Sequence, residues 1–104
     1  MAWTILILAG VLEAVWAVGL KATDGFTKPL VSVVVGTAIV ASMVLLAQAA
    51  RSIPIGTAYA VWVGIGAFGA VLLEAVFYGV PLTVPRLLFL ALLLFAIGGL
   101  KATA

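Results

Sequence analysis

The hydrophobic residues of this chain fall into four long runs that few charged residues interrupt. The runs cover residues 3–20, 30–50, 55–78 and 86–101. Each is close to the roughly 20 residues that a helix needs to cross a hydrocarbon core of about 30 Å, and each is too long for a strand of a membrane barrel. The pattern predicts an all-α membrane protein, with four transmembrane helices in a single domain that covers residues 1–104.

Short segments that contain charged residues, glycine and proline separate the four runs. The Asp24-Gly25 pair predicts a turn in the first of these segments. Pro29, Pro54 and Pro85 each stand just ahead of an apolar run, where the missing backbone N–H of proline costs little. Because all three loops are short, we expect consecutive helices to be antiparallel neighbours.

The composition excludes several classes of function. The chain is 67% hydrophobic and 8% charged, and it has no Cys and no His. Disulfides, thiol nucleophiles, haem and most transition-metal sites are therefore excluded, so we expect neither a cofactor nor a metal. The five Lys and Arg residues are spread singly, which gives no reason to expect a nucleic-acid partner. Any proton chemistry must rest on carboxylates.

The positive charges show almost no preference for one side of the membrane. Lys21, Lys28 and Arg86 fall on one side, and Arg51 and Lys101 fall on the other. Since an excess of Lys and Arg normally fixes which loops stay inside, this chain has little to fix its orientation. Insertion in both orientations would permit an antiparallel dimer made from one sequence.

Glu13 is a carboxylate near the middle of an otherwise uncharged run from Ala2 to Leu20. A charged residue at a helix centre costs about 2.5–3.5 kcal/mol on insertion scales, and such residues usually mark ion pathways. Gly10 and Trp16 lie on the same helical face as Glu13. The small Gly10 lets another helix approach closely, and Trp16 offers a flat ring and an N–H donor, so that together they outline a pocket. We predict that Glu13 binds protons or a cation; the alternative is a structural hydrogen bond to another helix.

The third run places aromatic and small residues on one helical face. Tyr59, Trp62 and Gly66 share this face, and aromatic rings can hold a cation. The alternative is that the two aromatic residues form an interfacial belt. Gly64 and Gly66 permit either bending, which would make them a hinge, or close packing.

Three further polar residues have open roles. Ser42 lies deep in the second run, where we expect its hydroxyl to bond either Glu13 or the carbonyl four residues before it. Glu74 is a second acidic residue in an apolar run, and it could equally be an exposed group near a helix end. Lys101 suits the negative end of a helix dipole.

These residues resemble the small multidrug resistance transporters, and the resemblance covers essentially the whole chain. It lies in Gly10-Val11-Leu12-Glu13 with Trp16, in Pro54-Ile55-Gly56-Thr57-Ala58-Tyr59-Ala60-Val61-Trp62 and in Gly99-Leu100-Lys101. Within that family, Gly10, Trp16 and Lys101 look like the guanidinium exporter subtype rather than the quaternary ammonium subtype.

The resemblance implies a fold, an activity and roles for residues. It implies an antiparallel, dual-topology dimer in the bacterial inner membrane, with helix 4 at the dimer contact. It also implies that this dimer exchanges protons for guanidinium or substituted guanidinium cations. Glu13 would bind protons and substrate in competition. Trp16, Tyr59 and Trp62 would line the pocket, and Ser42 would bond Glu13.

Three positions depart from the pattern of the guanidinium subtype. Val63 replaces a usual Thr, Val80 replaces an acidic residue, and Glu74 replaces a small residue and looks like one partner of the heterodimeric members. Three alternatives therefore stay open. They are a broader exporter of quaternary ammonium cations, one half of a heterodimeric pair, and a structural membrane subunit that transports nothing.

Overall fold

The computed structural model describes residues 1–103, which form four α-helices. They are α1 (Ala2–Ala22), α2 (Pro29–Ala49), α3 (Ile55–Phe77) and α4 (Val84–Thr103). All four are long and apolar enough to cross a membrane. The prediction of an all-α membrane protein with four spanning helices is confirmed, and each end lies within two residues of the expected position.

Proline marks the start of three helices. Pro29 is the first residue of α2, and Pro54 is the residue that caps α3. The fourth helix was expected to begin after Pro85, but α4 begins at Val84 and contains Pro85 in its first turn. The reason is that the first N–H groups of a helix have no partner within it, so proline fits there without losing a hydrogen bond.

The loop between α1 and α2 is a left-handed turn. Asp24, Gly25 and Phe26 have φ angles of 49°, 71° and 64°, a region that only glycine adopts at little cost. The buried hydroxyl of Thr23 donates a hydrogen bond to the carbonyl of Leu20 at 2.7 Å and accepts one from the N–H of Phe26 at 3.1 Å. Both contacts hold the turn predicted at Asp24-Gly25.

The first helix lies between α2 and α3 and packs against both. The fourth helix, α4, packs against α3. The buried core lies where α1, α2 and α3 meet; it consists of Leu6, Ala9, Leu46, Ala49, Ile53, Ala58, Val61 and Trp62. Most other large apolar side chains are exposed on the outside of the helices, as expected for surfaces that face lipid or another protein chain.

Candidate functional site

The carboxyl group of Glu13 lies between α1 and α3, directly over Gly66. A Cβ atom at Gly66 would overlap this carboxyl group. The Oε1 atom of Glu13 is buried and has no hydrogen-bond partner among the described residues. An oxygen without a donor in apolar surroundings is costly, above all when it carries charge. This carboxyl group is therefore suited to be neutralised by a proton or a cation.

Small residues bring α1 and α3 close together on both sides of Glu13. A Cβ atom at Gly10 would lie 2.8 Å from Cβ of Ile65, and one at Gly69 would lie 2.6 Å from Cβ of Ala14. Real Cβ atoms essentially never approach so closely, so glycine is required at both positions in this packing. The two contacts fix the distance between α1 and α3 at the level of the carboxyl group.

The glycines expected to form a hinge or a packing surface are packed in this structure. A Cβ atom at Gly64 would lie 2.8 Å from Cδ1 of Ile97 in α4, and Gly66 faces Glu13. The helix α3 runs through both positions without interruption. Close packing is therefore observed at Gly64 and Gly66, and bending at these glycines stays a prediction.

Ser42 links three helices rather than contacting Glu13. Its Oγ donates a hydrogen bond to the carbonyl of Ala9 at 2.8 Å and accepts one from Nε1 of Trp62 at 3.0 Å. Both expectations for Ser42, a bond to Glu13 and a bond to its own helix, are therefore wrong. The carbonyl of Ala9 is accessible because its residue has only a methyl side chain, and helical carbonyls have a second lone pair.

The hydrogen bonds that join Trp62, Ser42 and Ala9 lie beside Glu13. In a regular α-helix the carbonyl of Ala9 also accepts the backbone N–H of Glu13, one turn later. Ser42 is fully buried and Trp62 is 6% exposed, so water does not compete with either side-chain bond. The Trp62–Ser42–Ala9 chain therefore fixes α1 against α2 and α3 beside Glu13.

The three predicted aromatic residues have different surroundings. Trp62 lies in the core, with its ring centroid 5.8 Å from that of Tyr59. Tyr59 is 56% exposed, so much of its ring is available to a ligand or another chain. Trp16 is half-buried, and its indole N–H has no partner in the described part of the chain. Within one chain, Trp16 thus does not donate to Glu13.

Comparison with known proteins decides the family. Residues 1–93 match the family model described as Small Multidrug Resistance protein. The chain belongs to the small multidrug resistance family. The resemblance found in the sequence is thereby confirmed, and the protein is a multi-pass protein of the bacterial inner membrane.

Relatives within the family are similar over their whole length. The guanidinium exporter of Escherichia coli (strain K12) is 54% identical over 101 residues, which cover 97% of this chain and 96% of that protein. The guanidinium exporter of Salmonella typhimurium is 49% identical over 104 residues, covering 100% and 99%. That of Proteus vulgaris is 48% identical over 101 residues, covering 97% of each. All three relatives are named as exporters, that is, as transport proteins.

In this member of the small multidrug resistance family, Glu74 has a partner that the sequence interpretation missed. Nη2 of Arg86, near the start of α4, lies 3.0 Å from Oε1 of Glu74, and both side chains are 36% exposed. Nearby, Nζ of Lys21 lies 5.1 Å from the ring centroid of Tyr78. The sequence places Glu74 and Arg86, with opposite charges, on either side of the short α3–α4 loop, and this pattern could have indicated the ion pair. Glu74 is therefore a partly exposed, ion-paired residue at one end of the bundle.

Lys101 also contacts an aromatic ring. Its Nζ lies 5.6 Å from the ring centroid of Trp3, so the end of α4 approaches the start of α1 at the opposite end of the bundle from Glu74. A cation over an aromatic face at an exposed site contributes about 0.5–1 kcal/mol. The contact gives Lys101 a structural partner in addition to the helix dipole.

Proposed function

We propose that this protein is a proton-coupled antiporter that exports guanidinium or substituted guanidinium cations across the inner membrane. The observation that carries the proposal is the carboxyl group of Glu13, which lies within the apolar bundle and has a buried oxygen that no donor of residues 1–103 reaches. Relatives named guanidinium exporters, 48–54% identical over nearly the whole chain, support it.

Exchange follows from the cost of an uncompensated charge. A bare carboxylate inside the membrane is unfavourable, so Glu13 holds either a proton or a cation. If both ligands use the same carboxyl group, binding of one displaces the other. The empty, charged form changes sides poorly, and each conformational change therefore carries one of the two ligands.

Guanidinium matches the chemistry of this site. Its planar fork of N–H donors binds a carboxylate through two hydrogen bonds, and its faces stack on aromatic rings. Glu13 supplies the carboxylate, and the exposed face of Tyr59 supplies a ring. A fully methylated ammonium ion has no N–H donors, so it gains less from the carboxylate.

The transporting unit is proposed to be an antiparallel, dual-topology homodimer. The near-absence of charge bias permits both orientations. The open face of Tyr59 and the unpartnered N–H of Trp16 support a site completed by a second copy. Because Arg86 already pairs with Glu74 in the same chain, the charge of Glu74 does not require a different partner chain.

Reconstitution of the purified chain in liposomes tests the proposal. Proton movement driven by a gradient of guanidinium, methylguanidinium or tetramethylammonium would be measured with a trapped pH indicator, with Glu13→Gln as the inactive variant and Glu74→Gln as a carboxylate control outside the site. We expect guanidinium-driven proton movement in the unmodified protein and in Glu74→Gln but none in Glu13→Gln. Faster proton movement with tetramethylammonium would favour a quaternary ammonium exporter, and no proton movement with any cation would favour a structural subunit.

A further inference from the structure

The side chain of Glu13 lies on bare backbone at Gly66. A Cβ atom at Gly66 would lie 2.5 Å from Cδ and 2.8 Å from Cγ of Glu13, and it would overlap Oε1. Any residue other than glycine at this position would therefore exclude the carboxyl group from its observed place. We call this place, over Gly66 and between the Gly10–Ile65 and Ala14–Gly69 contacts, the Gly66 slot.

The Gly66 slot suits one of the two states of Glu13. In the part of the chain that the structure describes, no hydrogen-bond donor reaches Oε1, and the contacts on both sides of the slot are with apolar or backbone groups. A neutral carboxylic acid tolerates such surroundings at far lower cost than a carboxylate. A guanidinium ion has no room between the carboxyl group and α3, because the distance there is already too short for one added carbon atom.

We propose that Gly66 is a positioning residue that gives the protonated side chain of Glu13 a resting place, separate from the position in which the carboxylate holds the cation. This inference rests on the proposed function, since it divides the exchange at Glu13 into two positions of one side chain. Proton and cation then compete through a movement of the carboxyl group out of the slot, and the slot strengthens the proton in that competition.

The other ionisable groups of residues 1–103 lie toward the ends of the helices or in the loops. The helix α2 has none. On α4, Arg86 pairs with Glu74 near one end and Lys101 lies over the ring of Trp3 near the other. On α3, Tyr59 and Glu74 are seven and eight positions from Gly66, about 10–12 Å along the helix axis, and Glu74 is paired with Arg86. On α1, Lys21 is about 12 Å along the axis from Glu13. In the proposed dimer, the partner's Glu13 would add a second carboxyl group to the site.

The variant Gly66→Ala tests the slot, with Gly56→Ala as a matched control. Gly56 is on the same helix, and apart from its chain neighbours and the nearby helix backbone no atom of residues 1–103 lies within 4 Å of a Cβ atom built there. Guanidinium affinity would be measured by calorimetry between pH 6 and pH 9. We expect Gly66→Ala to bind guanidinium as the unmodified protein does at high pH. The pH at which half of the binding is lost should be about one unit lower in Gly66→Ala than in the unmodified protein, which corresponds to a tenfold higher proton concentration. Gly56→Ala should leave the pH profile unchanged.

A second substitution separates the slot from a general packing defect. Aspartate is shorter by one methylene group and reaches the surface of Gly66 less closely, so adding Gly66→Ala to Glu13→Asp should move the pH profile much less. An unchanged profile in Gly66→Ala, or an equal loss of affinity at every pH, would overturn the proposal.

A measurement on the unmodified protein stands even where Gly66→Ala does not fold. In bicelles, nuclear Overhauser contacts between the Cγ protons of Glu13 and the Cα protons of Gly66 should be present at low pH. They should disappear when the pH is raised, with or without guanidinium. Contacts that persist at high pH, or that are absent at low pH, contradict the slot. Failure of guanidinium to bind at any pH contradicts the proposed function but leaves the pH-dependent contact intact.

Discussion

Removal of the Ser42 hydroxyl breaks both side-chain bonds of the Trp62–Ser42–Ala9 chain. In Ser42→Ala, the indole N–H of Trp62 stays in a core that is almost inaccessible to solvent and has no acceptor. The carbonyl of Ala9 loses its side-chain donor and keeps only its helical bond. The variant therefore tests whether three helices are held together by one hydroxyl group.

The expected magnitude follows from the two bonds. A net hydrogen bond contributes about 0.5–1.5 kcal/mol, and a buried donor left without a partner costs about 1–3 kcal/mol. Side-chain hydrogen bonds between membrane helices average only about 0.6 kcal/mol, with a maximum near 1.7, because the unfolded chain in the membrane also finds partners. We expect Ser42→Ala to lower the free energy of unfolding by about 1–2 kcal/mol.

Reversible unfolding in mixed micelles, followed by helical circular dichroism, measures this loss. A double-mutant cycle with Trp62→Phe isolates the bond between the two side chains, and we expect a coupling energy of about 0.6–1.7 kcal/mol. Thr37→Ala is the matched control on α2, since its hydroxyl donates only to the carbonyl of Val33 in its own helix. That variant should change stability by less than about 0.5 kcal/mol.

Two results would contradict a stabilising role of the Ser42 hydroxyl. A coupling energy indistinguishable from zero would show that Trp62 and Ser42 do not stabilise the bundle through each other. A loss in Thr37→Ala as large as that in Ser42→Ala would show that removal of any hydroxyl from α2 has the same effect, whatever the bond.

Two further predictions concern the ends of the helices. Glu74→Gln or Arg86→Gln should lower the free energy of unfolding by about 0.2–1 kcal/mol in the same assay, because the ion pair is partly exposed and screened. The double variant in which the two charges are exchanged should recover much of this loss. No recovery would contradict the pairing. Thr23→Val removes both side-chain hydrogen bonds of the left-handed turn and should lower the free energy of unfolding by about 1–2 kcal/mol. The control Thr27→Val, at an exposed hydroxyl, should lower it by less than about 0.5 kcal/mol. Equal losses would contradict the role of Thr23.

The architecture was predictable because the bilayer sets a minimum length for each apolar run. Four runs of about 20 residues with short loops leave few alternatives to four spanning helices. Glu13 was recognisable for the same reason, since a charge in such a run stands out by its cost. The start of α4 was missed because Pro85 looked like a boundary, although proline is equally suited to a first turn.

The detailed contacts were not predictable from spacing along one helix. The partner of Ser42 depends on how closely α1 and α2 approach, and that distance is set by small residues such as Ala9 on a different helix. The position of Glu13 over Gly66 likewise depends on the rotation of α1 relative to α3. Helical periodicity places residues on a face but does not say which residue of another helix they meet.

Exchange of guanidinium for protons changes the pH inside a liposome, which can be followed directly. Liposomes would be loaded with guanidinium, diluted into guanidinium-free buffer with the membrane potential clamped by potassium and valinomycin, and monitored with a trapped pH indicator. Efflux of guanidinium in exchange for protons should acidify the interior with the unmodified protein and leave it unchanged with Glu13→Gln. Guanidinium efflux without acidification, or acidification that persists in Glu13→Gln, would contradict proton-coupled exchange at Glu13.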